Sequence, residues 1–310
     1  MRVLPLTVLV VLTLAGCTGG PTGNGATKPT TDAAAVVDAP WWEVGEAWTL
    51  SFETETRAQR TTTLVNFANN TFGDPPHFWL GVSDRSEALD HVFFNTNPFL
   101  GRIHWGILAP HEQGMHSVLY AFPLRDGASW NTGLIFGQKD VSVDARAEAG
   151  GAFEISGSDG DDVRASYDYE PTVRWFKHIE ITKAGSTILR ATNIDHKENT
   201  HGTFYFLRGR DYIDSKGGTT GSEQPFKVKD EGATSIAFLM NIQTQGTSAI
   251  EFIDPSGTVW HRETLPLGGA ADKVVEVPKA PPAGDWKLRF IGSVAGDIKV
   301  RGIIEYKATI

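Results

Sequence analysis

Trp175-Phe176-Lys177-His178-Ile179-Glu180-Ile181, then Thr182-Lys183-Ala184-Gly185, then Ser186-Thr187-Ile188-Leu189-Arg190-Ala191: two runs rich in β-branched and aromatic residues flank four residues of turn composition. This is the pattern of a β-hairpin. Upstream, Trp48, Leu50 and Phe52 alternate with Thr49, Ser51 and Glu53, so one face of that strand is buried. Further strand-like runs occupy 78–82, 91–94, 117–122, 141–143, 153–155 and 203–207. Turn formers such as Gly73-Asp74-Pro75-Pro76 and Gly157-Ser158-Asp159-Gly160 separate them. No helical period of convincing length is present. The class read from this spacing is all-β: a larger antiparallel half-barrel or sandwich, with a smaller sandwich behind it.

Ser215-Lys216-Gly217-Gly218-Thr219-Thr220-Gly221-Ser222 holds three glycines and no large apolar side chain, and reads as the linker between the two bodies. The larger domain then spans 39–214 and the smaller 223–310. In the latter, Asp254-Pro255-Ser256-Gly257 is a turn, and Trp286, Leu288 and Phe290 alternate with Lys287 and Arg289.

The amino terminus carries an address. Residues 1–16 comprise a short basic start, the apolar run Val3 to Leu14 and small residues, which together form a secretory signal. The run is shorter than the roughly 20 residues of a spanning helix. Leu14-Ala15-Gly16-Cys17 resembles the lipobox of prokaryotic lipoproteins, in which cleavage precedes the cysteine and the new terminal residue is acylated; Cys17 is the chain's one cysteine. The resemblance implies lipid attachment at Cys17 and an extracytoplasmic protein held at the cell membrane, facing the cell surface or periplasm. Residues 17–38 follow as a tether, with eleven Gly, Thr or Pro among positions 18–38, a composition that offers little apolar surface to offset ordering entropy.

Residues 223–308, with the Asp254 turn and Ala283-Gly284-Asp285-Trp286-Lys287-Leu288-Arg289-Phe290, resemble the jelly-roll modules of pre-peptidase carboxy-terminal and proprotein-convertase type, which serve as accessory or binding modules. Residues 41–212, with Phe122-Pro123-Leu124-Arg125-Asp126-Gly127-Ala128-Ser129-Trp130 and Tyr167-Asp168-Tyr169-Glu170-Pro171, are similar to uncharacterised curved-sheet domains of prokaryotic lipoproteins. Some curved sheets carry lipid on one face.

Twenty-eight Lys and Arg against 37 Asp and Glu give a net charge of −9, which argues against a nucleic-acid partner. Catalytic signatures are weak. His111-Glu112-Gln113-Gly114-Met115-His116 has its histidines at i and i+5 where a zinc helix needs i and i+4, and on one strand that odd spacing sends them to opposite faces. Gly292-Ser293-Val294-Ala295-Gly296 has its serine one place early for a nucleophile elbow. Glu43 with Glu46, and Glu53 with Glu55, serve glycoside chemistry only if a cleft brings them together. Asp159-Gly160-Asp161-Asp162 offers oxygen ligands for calcium or a simple acidic turn. Asn69-Asn70-Thr71 is a formal glycosylation sequon. His91 and His104 meet only if the fold brings them together. Nine tryptophans remain, a residue type that in all-β proteins mostly fills cores: Trp48 and Trp286 belong there, while Trp41, Trp42 and Trp105 fall in less regular stretches that leave exposure open as the alternative to the core. The reading is of a non-catalytic lipoprotein, without cofactor or metal, whose partners are the membrane and an extracellular protein, glycan or envelope component. Lipid handling by a concave sheet is the alternative, and an envelope hydrolase the third.

Overall fold

The computed structural model describes residues 36–310 except 56, 72–75, 113–114, 117 and 134–139. The expected signal, Cys17 and nearly all of the expected tether lie outside the described residues. In chain order the elements are β1 (Val36–Val37), β2 (Ala47–Thr54), β3 (Arg57–Asn70), β4 (His77–Gly81), α1 (Arg85–Phe94), β5 (Gly101–His104), β6 (Ala109–Glu112), β7 (Met115–His116), β8 (Leu124–Arg125), β9 (Ser129–Thr132), β10 (Val141–Ala147), β11 (Phe153–Ser158), β12 (Val163–Tyr169), β13 (His178–Lys183), β14 (Ser186–Lys197), β15 (Thr203–Gly218), β16 (Glu223–Val228), β17 (Ser235–Ile253), β18 (Val259–Leu265), β19 (Ala270–Val277) and β20 (Gly284–Thr309).

The fold is all-β, and its strands pair antiparallel in open sheets. Twelve strands form one sheet in the order β7-β6-β5-β4-β3-β2-β14-β13-β12-β11-β10-β9. The hairpin expected at 175–191 is β13–β14, with Lys183 opposite Ser186. Ala184 and Gly185 have φ of 49° and 81°, the left-handed pair that a two-residue hairpin turn requires. Alternation puts Val163, Ala165, Tyr167 and Tyr169 on the apolar face, and Arg164, Ser166 and Asp168 on the other.

The second sheet is built on two long bent strands. The first halves of β17 and the second halves of β20 lie between β19 and β15; beyond the bends the same strands lie between β18 and β16. Gly246 and Gly292, with φ of 71° and 78°, stand at the two bends. Ser248 and the backbone of Thr247 crowd Gly292 so closely that any side chain there would collide. Phe238 and Phe252 meet at 5.2 Å between the two layers, in a core shared with Met240, Trp286, Leu288 and Phe290. This is the small sandwich, and it begins at Thr203, ahead of the expected 223.

Four expectations are corrected. Residues 215–218 are not linker: Ser215 pairs with Ile298 and Gly217 with Ala295, so β15 continues through them. Gly217 sits at a bulge with φ of 83°, and a Cβ there would lie 2.2 Å from the carbonyl oxygen of Val294. The glycines mark close strand approach, and the boundary between the sheets falls at 198–202. Residues 91–94 are the last turn of a helix. Asp84 caps it by accepting from the Ser86 amide at 2.8 Å, and Asn95 ends it in the left-handed region. Residues 118–122 form no strand, although Leu119 and Tyr120 are buried. The tether also ends earlier than 38, because Val36 and Val37 already pair with Arg125 and Leu124.

Helix α1 joins the two sheets. On one side Thr62 of β3 donates to Glu87 at 2.5 Å; on the other, Val92 fills the space that a side chain at Gly209 of β15 would need. Arg85 reaches Glu276 of β19 through two bonds of 2.6 and 2.7 Å, and Glu305 of β20 at 2.7 Å. Residues 36–310 consequently make one compact unit.

Candidate functional site

The twelve-stranded sheet has two unlike faces. One packs Trp42, Trp48, Phe52, Phe78, Phe153 and Trp175 into a single core. At β4 the other face is covered as well, since Trp79 meets Phe206 at 6.0 Å and Tyr306 at 4.6 Å from the second sheet. From β2 across β14, β13, β12 and β11 it is open and polar.

In that open half lies a depression of about 350 Å³ lined by Glu154, Ser166, Asp168, His178, Glu180, Arg190 and Thr192, with Tyr167, Ile179 and Ala191 beneath. Register explains the convergence. Glu154 stands opposite Asp168, Ser166 opposite Glu180, Glu180 opposite Arg190, and His178 opposite Thr192. Directly opposed residues share a face, so period-two alternation alone delivers this polar row to one surface.

Asp168 is the most constrained member. Its Oδ1 accepts from the amides of Lys177 at 2.5 Å and His178 at 2.9 Å. Burial nevertheless pushes its carboxyl above the ordinary range, against those two hydrogen bonds. Arg190 donates to Glu180 and, at 2.6 Å, to Glu53; the Glu180 bond leads in holding its guanidinium charged. The surface therefore presents carboxylates, hydroxyls, an imidazole and a guanidinium, without an exposed aromatic ring on which a sugar would stack.

A second arrangement is buried. Glu46 is 1% exposed, yet it contacts His196 at 2.9 Å and Arg174 at 3.4 Å and accepts from the Glu43 amide at 3.0 Å. The His196 ring stacks on Trp48 at 5.5 Å. A carboxylate orienting an imidazole is half of a nucleophilic triad, but among the described residues no hydroxyl or thiol is bonded to that ring. Of the proposed carboxylate pairs, Glu46 is thus committed inside while Glu43 is exposed, and Glu53 is tied to Arg190.

The histidines are distributed otherwise than expected. His91 lies half-buried on α1, where its Nδ1 accepts from the Asn97 amide at 3.3 Å, and it does not join His104. His104 instead stands opposite His77, with ring centres 6.1 Å apart, and His111 lies 4.5 Å from His77 and 6.5 Å from His104. His111 and His116 are not on one strand: their backbones pair across the β6–β7 hairpin, so the one-strand condition of the expectation is not met. His77 had no part in the sequence reading, and only strand pairing could have brought it in. The Nδ1 of His104 accepts from the Gly106 amide at 3.0 Å, and among the described residues no group of three or more His, Cys, Asp or Glu is placed to hold a metal ion.

Asp159 turns inward on its own hairpin, accepting from the amides of Asp161 and Val163 at 2.9 and 3.0 Å. The side-chain nitrogen of Asn69 donates to the Trp42 carbonyl at 2.9 Å. Trp48 and Trp286 are fully buried as read from their strands. The Trp41-Trp42 pair divides: Trp42 is buried and Trp41 is 39% exposed. No helix among the described residues is long and apolar enough to cross a membrane. Comparison with protein-family models and with curated protein sequences found no match for the chain.

Proposed function

We propose that the chain is a lipid-anchored extracytoplasmic lipoprotein that works by contact, using the polar half of its twelve-stranded sheet to hold an extracellular or envelope protein. The observation that carries this reading is the open depression around Asp168. There hydrogen-bonding side chains are fixed by register and by mutual ion pairs, so that a partner meets a pre-ordered surface. The lack of an exposed ring in the depression favours a protein over a glycan. Lipid carriage is less well supported, because aromatic side chains fill the apolar face of that sheet. The hydrolase reading rests on the Glu46–His196 contact alone.

A photo-crosslinking residue at Thr192 in intact cells tests the idea. It should capture a discrete envelope protein, and Arg190→Glu should abolish the capture by reversing the charge beside the depression. The same products from a probe at the exposed Lys229 would remove the assignment.

A further inference from the structure

We propose that residues 36–44, where the folded body begins, form a membrane-facing patch that seats the body on the bilayer. This rests on the lipid anchor at Cys17 proposed above. Among the described residues six large apolar side chains are exposed, and three fall within these nine positions: Val36 at 54%, Trp41 at 39% and Val44 at 44%. Scattered exposed apolar residues are ordinary, whereas a cluster at one point of the chain calls for a partner.

Each of the three is held outward by ordered neighbours. Val36 is paired with Arg125 between β1 and β8. The Trp41 ring is fixed edge-on by Phe78 at 5.4 Å and Trp105 at 5.9 Å, and Trp105 in turn donates to the Pro40 carbonyl at 3.1 Å. Val44 rides a tight turn closed by the Glu46 amide on the Glu43 carbonyl and by the Thr200 amide on the Gly45 carbonyl. Little further ordering is needed for these side chains to meet a surface.

The position of the patch in the chain selects its occupant. Eighteen residues separate Cys17 from Val36, and fully extended they span no more than about 60–65 Å. Residues 36–44 are therefore the first part of the body that a bilayer holding Cys17 can reach. Trp41, between Val36 and Val44 in the chain and with Arg174 donating to its carbonyl at 3.5 Å, suits the interfacial zone, where rings lie among headgroups. Asp38 and Glu43 are exposed alongside, and the whole chain carries −9, so apolar contact with a zwitterionic surface fits better than attraction to an anionic one.

Val44→Cys supplies a unique free thiol, because Cys17 is acylated in the anchored protein. The lipidated full chain in phosphatidylcholine vesicles is labelled with a membrane-impermeant maleimide and compared with lipidated Leu267→Cys, whose site is a hairpin tip 79% exposed. Rates are normalised to the same two substitutions in unanchored Cys17→Ser protein. Labelling at position 44 should slow about tenfold on vesicles while position 267 is unchanged, as for a site docked most of the time, and Trp41→Ser should restore most of the rate. Unslowed labelling at 44 in protein that floats with vesicles only when Cys17 is intact overturns the patch and leaves the anchor standing. Flotation that survives Cys17→Ser while labelling at 44 stays unslowed overturns the anchor and the patch together. Protection that fades as protein is diluted at fixed lipid means that a second copy covers the patch, and overturns the bilayer as its occupant.

Discussion

His91 illustrates how much one half-buried side chain can decide. Enclosure in α1, with the nearby Arg60 charge adding to it, pushes its pKa down to about 4. The unfolded chain, with a histidine near 6.5, then binds a proton more readily than the native one between pH 6.5 and 4, so stability falls as the pH drops through that window. Urea midpoints taken from pH 7 to pH 4 should decline more steeply in the native chain than in His91→Gln, the gap reaching at most about 3 kcal/mol. Parallel curves would show that His91 stays uncharged for another reason. None of this is legible in Asp90-His91-Val92, whose residues suit a strand and a helix equally; the neighbours that exclude water from the ring come from elsewhere in the chain.

Elements show where local pattern suffices and where it misleads. The β13–β14 hairpin is legible because alternation and a Gly turn agree. Helix α1 lacks a clean apolar stripe, since it touches both sheets, and its signature is the short-range pair Asp84 and Glu87 in its first turn. Asp84→Ala should lower stability by about 1 kcal/mol in urea titration, and Asp84→Asn should preserve most of it. Gly217 separates the linker reading from the bulge. In a linker, Gly→Ala would be neutral or stabilising by about 0.4–1 kcal/mol. At this bulge the added methyl meets the Val294 carbonyl and the backbone holds φ at 83°, so Gly217→Ala should instead destabilise by roughly 2 kcal/mol or more. A shift of the urea midpoint in the stabilising direction would restore the linker.

At the scale of the molecule, the layer of β19, β17, β20 and β15 is the common wall. Its Phe238 faces the sandwich core, while Ala237 and Ile303 belong to the core of the twelve-stranded sheet. Covering on both faces explains why Ser235-Ile236-Ala237-Phe238 is continuously buried where a one-sided strand would alternate. Residues 36–222 should therefore not fold alone: without β20 and β17, β15 loses its pairing and Phe206 its cover. Circular dichroism and urea titration should find no cooperative transition in that fragment, and a sharp one would mean that the wall is dispensable. The Arg85 contacts act at the same junction, where hydrogen bonds from Arg85 and Ser235 outweigh burial and hold the Glu276 carboxyl below its usual range. By itself the sequence determined the all-β class, the principal hairpin and the buried faces that carry Trp48 and Trp286, because each follows from period-two alternation and local turn chemistry. Only tertiary structure decided that glycine-rich 215–218 is a strand, that His77, His104 and His111 assemble, that Glu46 meets His196, and that Trp41 faces outward while Trp42 is enclosed. Those outcomes depend on which distant strand lies alongside, and pairing across tens of residues or more leaves no imprint on the neighbours of either partner.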